Sequence, residues 1–462
     1  MNEKRLMQVP DNVKKLHNVL HQSGFECHLV GGCVRDALLG EVPHDYDLCT
    51  NASPEDILNT LKKNNINATT VGIDYGTIVA HIGDNEYEIT TYRRESGYSD
   101  KRHPDKVEYS NNINEDLKRR DFTINAIAYN LDTEEIVDPY QGVLDLEQGI
   151  LRMVGNPADR INEDPLRMLR GIRFAIRFGF QIENNTKESI LENKELINLI
   201  SKERITQEFQ KMFSYGKPVA SIFMEYAPVI FEIVPELGKC YEFSQNNKYH
   251  KHDVYEHILN VVDNCKTTKF DIKMAALLHD IGKPDAYSVD ENNQGHFYGH
   301  ADISQSISKK VLATDFRITN EQRDNILLLV KEHDHDMPIT TKGIRKLVSE
   351  FGTDFINDWL VLKKGDISDH LIPDPDKSLL KKYEKMADVY NDFLQNESRF
   401  QLKDLAVNGR DLAELSLQGP EIGKTLRLLL NAVIEEEISN SYHELMAKAE
   451  EINEINKETQ ER

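Results

Sequence analysis

The chain predicts an α+β fold for its first 150 or so residues, a small mixed or antiparallel sheet with helices, and an all-helical remainder. Three observations carry that expectation. Short apolar and β-branched runs alternate with helical patterns up to about residue 150. Two of these runs, Thr77 to Ile82 and Tyr87 to Tyr92, flank a Gly-Asp-Asn turn and read as a hairpin. Near Gly155-Asn156-Pro157 the strand signals stop, and helical periodicity dominates to the end.

The 462 residues suffice for about three domains with a sizeable core. Charged residues at 29% and hydrophobic ones at 39% are ordinary for a soluble protein. The charged start Asn2-Glu3-Lys4-Arg5 does not resemble a signal peptide, and no apolar stretch is long enough to span a bilayer, so no membrane partner is expected. Five cysteines (Cys27, Cys33, Cys49, Cys240, Cys265) show no CxxC spacing and read as reduced thiols in a cytoplasm. A net charge of −22 argues against a non-specific nucleic-acid coat, though it leaves room for a local basic surface.

The first element is an apolar strand, Leu29-Val30, running into Gly31-Gly32 and a helix start containing Arg35 and Asp36. Without Cβ atoms the two glycines let the backbone turn sharply and present N–H groups to a phosphate. Next come Asp45 and Asp47, which at i and i+2 on a second strand share one face. Two oxygen ligands on one face suit Mg²⁺ when phosphates and water complete its octahedron, or two metals for in-line phosphoryl transfer. Glu88, on a following strand, is either a third acid of that site or an exposed strand residue.

The basic run Lys118-Arg119-Arg120-Asp121-Phe122-Thr123-Ile124-Asn125 offers guanidinium donors suited to a triphosphate. If it is helical, Asp121 and Asn125 at i, i+4 both face a ribose. Further on, Glu163-Asp164-Pro165 opens a helix in which Arg167, Arg170, Arg173 and Arg177 form a stripe opposite Leu166, Leu169, Ile172 and Ile176. Asp164 beside Arg167 would offer acceptor and donor to a nucleobase edge. The same pair is as readily a helix-surface salt bridge.

These three motifs, in this order, resemble the class II nucleotidyltransferases of the bacterial CCA-adding enzyme and poly(A) polymerase group over the first 215 or so residues. The resemblance implies that Asp45 and Asp47 hold catalytic Mg²⁺ and that Gly31, Gly32, Arg35 and Asp36 frame the triphosphate. It also implies that Arg119, Arg120, Asp121 and Asn125 contact phosphate and ribose. Glu163, Asp164 and Arg167, with Arg170 and Arg173 behind them, would be the amino-acid template selecting CTP or ATP. Cys33, where such enzymes often carry Ala, does not touch the ligand chemistry.

Downstream, Leu277-Leu278-His279-Asp280-Ile281-Gly282-Lys283-Pro284, with His257 before it and further histidines after it, resembles an HD-domain phosphohydrolase. Imidazole and carboxylate ligands from several helices suit a divalent metal such as Mg, Mn, Fe, Ni or Co. His257, His279 and Asp280 are the expected ligands, with Asp334 next; His296, His300 and His333 stay open as alternatives. Breaks at Gly216-Lys217-Pro218, Ser244 to Tyr249 and Pro373-Asp374-Pro375 punctuate the helical part. Residues 1–150 form the expected catalytic head, 151–240 a helical neck, 241–345 the HD domain and 346–462 a body and tail contacting RNA. There Gly419-Pro420, before a helix, is either an RNA phosphate contact or a plain helix cap.

The function implied is template-independent addition of CCA to the tRNA acceptor arm from CTP and ATP. A basic track along Arg167 to Arg177 and the later helices would meet the duplex backbone. An enzyme adding only C or only the terminal A, or a poly(A) polymerase, is the near alternative. A metal-dependent phosphohydrolase whose N-terminal module only binds nucleotide is the alternative of another class, and a non-catalytic RNA-binding protein is disfavoured by the intact carboxylates and glycines. The sequence leaves the oligomeric state open.

Overall fold

The apolar runs of the N-terminal region pair into strands, as the alternating patterns require. In the computed structural model, which describes residues 8–246, 252–335, 340–369, 378–396 and 402–460, these strands are β1 (Cys27–Val30), β2 (Asp47–Thr50), β3 (Asn67–Gly72), β4 (Thr77–Ile82), β5 (Asn85–Thr91), β6 (Arg93–Ser96), β7 (Lys106–Tyr109), β8 (Ala128–Asn130) and β9 (Ile136–Val137). Seven of them form one sheet in the order β3-β4-β5-β2-β1-β8-β9. The β2–β5 pair is parallel and the other pairs are antiparallel, so the sheet is mixed. The expected hairpin is β4–β5, with Ile78 opposite Ile89. Every residue of β1 is buried, including His28, whose Nδ1 lies 2.7 Å from the Tyr92 hydroxyl. Strands β6 and β7 make a separate hairpin.

Helices α1 (Asp11–Gln22), α2 (Gly32–Leu38), α3 (Pro54–Lys63), α4 (Ile113–Lys118) and α5 (Gly142–Gln148) accompany the sheet. Local signals set their ends. Ser53 caps α3 by accepting from the Asp56 N–H, Pro54 fills the first turn, and Lys62 and Lys63 sit at the negative end of the helix dipole. Helices α6 (Pro157–Glu163), α7 (Leu166–Phe178), α8 (Asn184–Glu192), α9 (Lys202–Ser214), α10 (Ala220–Glu225) and α11 (Ala227–Ile233) follow. Two compact units result, Met1–Lys217 with Ser221–Pro235, and Pro218–Ala220 with Glu236–Arg462.

In the second unit α12 (Val254–Asn264), α13 (Phe270–Leu278), α14 (Lys283–Ala286), α15 (His300–Thr314), α16 (Asn320–Glu332), α17 (Thr341–Phe351), α18 (Thr353–Asp369) and α19 (Ser378–Asn396) precede α20 (Gly409–Ala413), α21 (Pro420–Ile434) and α22 (Tyr442–Gln460). Ile272 to Leu278 of α13 are all buried, Lys273 among them with its Nζ donating to the Val262 carbonyl at 2.6 Å. A capping box between Thr319 and Gln322 starts α16. Leu412, Leu429 and Leu445 centre a separate core for α20 to α22.

The α+β region followed by a mainly helical one matches the sequence expectation. Strand signals do not end at residue 156, however. Gln181–Ile182 pairs in parallel with Ile150–Leu151, and Ser288–Val289 pairs with Gly295–His296. Two-residue strands carry too few residues to show a period. Pro373-Asp374-Pro375 and residues 247–249 of the Ser244 to Tyr249 break lie outside the described residues.

Candidate active site and metal centre

Asp47 opens β2 and pairs with Val30, the last residue of β1 before the glycine turn. Asp45 falls outside the strand, in the exposed segment leading into it, which corrects the expectation of two carboxylates on one strand. The parallel register of Leu48 with Ile89 carries Glu88 alongside Asp47. Burial, then the Glu88 charge, pushes the Asp47 carboxyl up to about 6, with Arg120 pulling the other way and Asp45 adding to the rise. Glu88 thus belongs to the acidic group, a placement its strand pattern alone could not decide.

Gly31 has φ 72°, a left-handed conformation that favours glycine. A Cβ there would lie 2.7 Å from Nη1 of Arg120, so the missing side chain is what lets the guanidinium approach the turn. The basic run is not an α-helix. Helix α4 ends at Lys118 and a 3₁₀ turn spans Thr123–Asn125, yet Asn125 still donates to Asp121 at 3.0 Å. Asp116, fully buried, accepts from Arg119 at 2.8 Å and from Arg120 at 3.2 Å, and Glu95 accepts from Arg119 at 3.3 Å.

The remaining residues of the expected nucleotide site are joined to one another. Arg170 pairs with Asp121 at 2.6 Å, Asn125 accepts from Arg35, Arg35 pairs with Asp36 at 2.6 Å, and Arg177 donates to Asp36 at 3.1 Å. Arg35 is buried, with its guanidinium over the Phe174 and Phe178 rings. Its donors serve Asp36 and Asn125, so in this structure it braces α7 against the glycine turn.

Helix α7 does not expose a basic stripe: all its residues from Leu166 to Ile176 are buried except Arg170. Arg173 bonds Glu208 at 2.6 Å and the Tyr215 hydroxyl at 2.9 Å. Arg167 pairs with Glu163 at 2.6 Å, whereas Asp164 pairs with Arg204 at 2.8 Å. The template residues therefore have different partners from the Asp164–Arg167 pair that helical spacing suggests. Pro165 separates α6 from α7, and Asp164 lies in that break.

The second constellation lies wholly in the second unit. His257, His279 and Asp280 form one buried group that could hold a metal, and Asp280, His300 and His333 form another. Asp280 Oδ2 lies 3.2 Å from Nε2 of both His257 and His279. Its Oδ1 lies 3.2 Å from Nε2 of His300 and 3.5 Å from Nε2 of His333. The Nδ1 atoms of His279, His300 and His333 contact the carbonyls of Ala276, Phe297 and Val330 at 2.8, 2.9 and 2.6 Å. Those carbonyls can only accept, so each Nδ1 carries a proton and each Nε2 is the ring atom aimed at Asp280.

The Nε2 atoms of His300 and His333 also lie 3.1 Å from each other, beside the same carboxylate oxygen. The donor set fits a divalent transition metal on either side of the carboxylate. Burial opposes ionisation of Asp280, but His279 and Lys283 overcome it and hold the carboxyl well below its ordinary range.

Asp334 is exposed one residue beyond His333, and His333 faces the cluster in its place. His296 pairs with Asp290 at 3.1 Å and stays out of both groups. Sequence reasoning missed Asp366, 3.3 Å from His257 Nε2, and Asp369, 2.8 Å from His257 Nδ1. Both lie late on α18, and no local motif marks them. Lys283, within the same motif, is buried with its Nζ 2.6 Å from Asp280.

Residues 27–152 match the family described as the Poly A polymerase head domain. Residues 179–236 match "Probable RNA and SrmB- binding site of polymerase A", residues 254–390 the HD domain, and residues 377–449 a tRNA nucleotidyltransferase domain 2. The chain is 43% identical over 226 residues to a CCA-adding enzyme of Lactobacillus delbrueckii subsp. bulgaricus, covering 49% of this chain and 56% of that protein. It is 46% identical over 211 residues to one of Enterococcus faecalis, covering 45% and 51%. The matches thus span about half the length of these curated relatives. Over its N-terminal half the chain is thus similar to CCA-adding enzymes.

The Bacillus stearothermophilus CCA-adding enzyme, solved in complex with CTP, shares the fold with a TM-score of 0.67 at 23% identity, covering 97% of this chain and 98% of that one. The Thermotoga maritima CCA-adding enzyme, solved complexed with tRNA, gives a TM-score of 0.58 at 18% identity over 96% and 95%. Among the described residues no helix is long and apolar enough to cross a membrane.

Proposed function

We propose that the protein adds CCA to tRNA 3′ ends from CTP and ATP. The observation that supports it most is the acidic group of Asp45, Asp47 and Glu88 beside the Gly31 turn and the Arg120 guanidinium. In this reading Asp45 and Asp47 hold Mg²⁺, which supplies Lewis-acid stabilisation of the attacking 3′-hydroxyl and the departing pyrophosphate. Arg119 and Arg120 bind triphosphate oxygens. Gly31 and Gly32 keep the wall of the site backbone-thin. Glu163, Asp164 and Arg167, fixed by Arg160, Arg204 and backbone carbonyls, present the base-selecting edge. Five buried free cysteines are consistent with a cytoplasmic protein.

The test is nucleotide incorporation with Mg²⁺ into tRNA transcripts ending before CCA, after C and after CC, with CTP, ATP or both. Growth that stops at CCA is expected. Addition of C alone, of one A, or of a long A tail would replace the proposal by the corresponding narrower enzyme. Absence of incorporation would overturn it, and Asp45→Ala should abolish it.

A second reading concerns the HD cluster, where Asp280 is shared by two ligand groups. That donor set supports a second divalent metal, of the Mg, Mn, Fe, Ni or Co kind, and hydrolysis of phosphate esters. Phosphatase activity that survives Asp45→Ala and disappears in His279→Ala would establish it.

A further inference from the structure

We propose that Asp116 is a positioning residue for nucleotide binding, holding Arg119 and Arg120 in the orientation that receives a triphosphate. The proposal rests on the nucleotidyl-transfer reading above.

Asp116 lies on α4 with its side chain fully buried. A buried carboxylate is costly unless it is paired. Its Oδ1 accepts from Nε and Nη2 of Arg119 at 3.0 and 2.8 Å, and its Oδ2 accepts from Nη2 of Arg120 at 3.2 Å. One carboxylate thus orients two consecutive arginines, which without it would be free to point apart. Glu95 supports the arrangement from the β6–β7 hairpin, accepting from Arg93 at 2.6 Å and from Arg119 at 3.3 Å.

Within the hydrogen-bonded group three guanidinium groups (Arg93, Arg119, Arg120) face two carboxylates (Asp116, Glu95), and the acid that meets the third charge is Asp47, outside that group. Arg120 is the arginine at that edge. Its Nε is buried without a hydrogen-bond partner among the described residues. Its Nη1 lies against the side-chain-free edge of Gly31, and its charge acts on Asp47. An unpartnered buried donor between a glycine turn and a metal-binding carboxylate is placed for an anion there. Clamping by Asp116 removes the cost of ordering flexible arginines at the moment of binding.

The prediction is specific to the phosphates. Replacing Asp116 by Asn keeps the volume, but the amide has one acceptor instead of two and sets an NH₂ group against a guanidinium. Binding of CTP, inorganic tripolyphosphate and CMP to the full-length protein would be followed by titration calorimetry in wild type, Asp116→Asn, Asp116→Glu and Glu95→Gln. In Asp116→Asn the Kd for CTP and for tripolyphosphate should rise about tenfold or more, about 1.4 kcal/mol or more, while CMP changes less than about twofold, a split that general loss of structure would not give. Asp116→Glu should recover part of the loss, and Glu95→Gln should weaken tripolyphosphate about threefold.

Equal tripolyphosphate affinity in wild type and Asp116→Asn would overturn the proposal, as would parallel loss of CMP and tripolyphosphate. If Asp116→Asn does not fold, an unchanged tripolyphosphate affinity in Glu95→Gln overturns it instead. A wild-type protein that binds neither CTP nor tripolyphosphate would refute the nucleotidyl-transfer reading itself, an outcome distinct from these.

Discussion

Arg173 tests the structure against the sequence pattern most sharply, because the pattern assigns it to a ligand-facing stripe and the structure assigns it to the core. Its side chain is 7% exposed and its Nε lies 2.6 Å from Glu208, itself 4% exposed. The guanidinium also sits 4.2 Å from the centre of the Phe174 ring. Arg173→Met keeps the aliphatic volume but leaves Glu208 buried and unpaired. Breaking a buried pair in this way costs about 3–5 kcal/mol, and loss of the ring contact adds about 1 kcal/mol. For a unit of this size that corresponds to a drop in Tm of roughly 8–24 °C. Removing the stranded charge as well, in Arg173→Met/Glu208→Leu, should restore most of the stability, since an apolar pair of similar volume is often neutral. The assay is urea and thermal denaturation by circular dichroism of wild type, both single variants and the double variant, with the coupling energy taken from the cycle. CTP affinity of the folded double variant should stay within about twofold of wild type. Arg173→Met with unchanged stability but weakened CTP or tRNA binding would refute the reasoning, because the arginine would then be facing ligand.

Two further outcomes follow from the proposed metal sites. With the Asp47 carboxyl titrating near 6, Mn²⁺ affinity at the head should fall as pH drops through that value, by about fourfold between about pH 7.5 and 5.5. Glu88→Gln should move the inflection to lower pH, and a flat profile from about pH 8 to 5 by paramagnetic resonance would refute it. The sign for stability is the reverse of the usual acid case: folding raises this pKa, so its destabilisation is present above pH 6 and is relieved as pH falls towards the unfolded value. At the HD cluster, His300→Ala removes a ligand from only one side of Asp280. Metal analysis after dialysis should show less bound transition metal than wild type but more than in His257→Ala/His300→Ala; identical content in all three would sink the two-sided arrangement.

Much of the fold was legible because its signals are local. Leu29-Val30-Gly31-Gly32 reads as strand, turn and helix start within a few residues, and the β4–β5 hairpin is written in two alternating runs and a Gly-Asp-Asn turn. The HD motif is equally local, since His279 and Asp280 are adjacent at the end of an apolar helix. What could not be read is which distant group each charge meets. A stripe of Arg at i, i+3, i+7 looks the same whether water, RNA or buried acids lie opposite. Here Arg170 meets Asp121, Arg173 meets Glu208 and Arg177 meets Asp36, between 35 and 141 residues away.

The choice between His333 and Asp334 shows the same limit at its finest grain. The two residues are adjacent at the end of α16, and either could be a ligand by type. The last turn of the helix decides: the Val330 carbonyl contacts His333 Nδ1 at 2.6 Å and turns the ring inward, which leaves its neighbour pointing to solvent. The matching acids, Asp366 and Asp369, come three residues apart on α18, where one helical turn brings both to His257. A metal-binding pattern is therefore best sought as a histidine whose Nδ1 is already taken by a carbonyl or carboxylate, because that contact fixes the ring and the direction of Nε2 before any ion arrives. In this chain four buried histidines satisfy that condition around one aspartate. The sequence puts His257 and His279 forward as ligands and leaves His300 and His333 open.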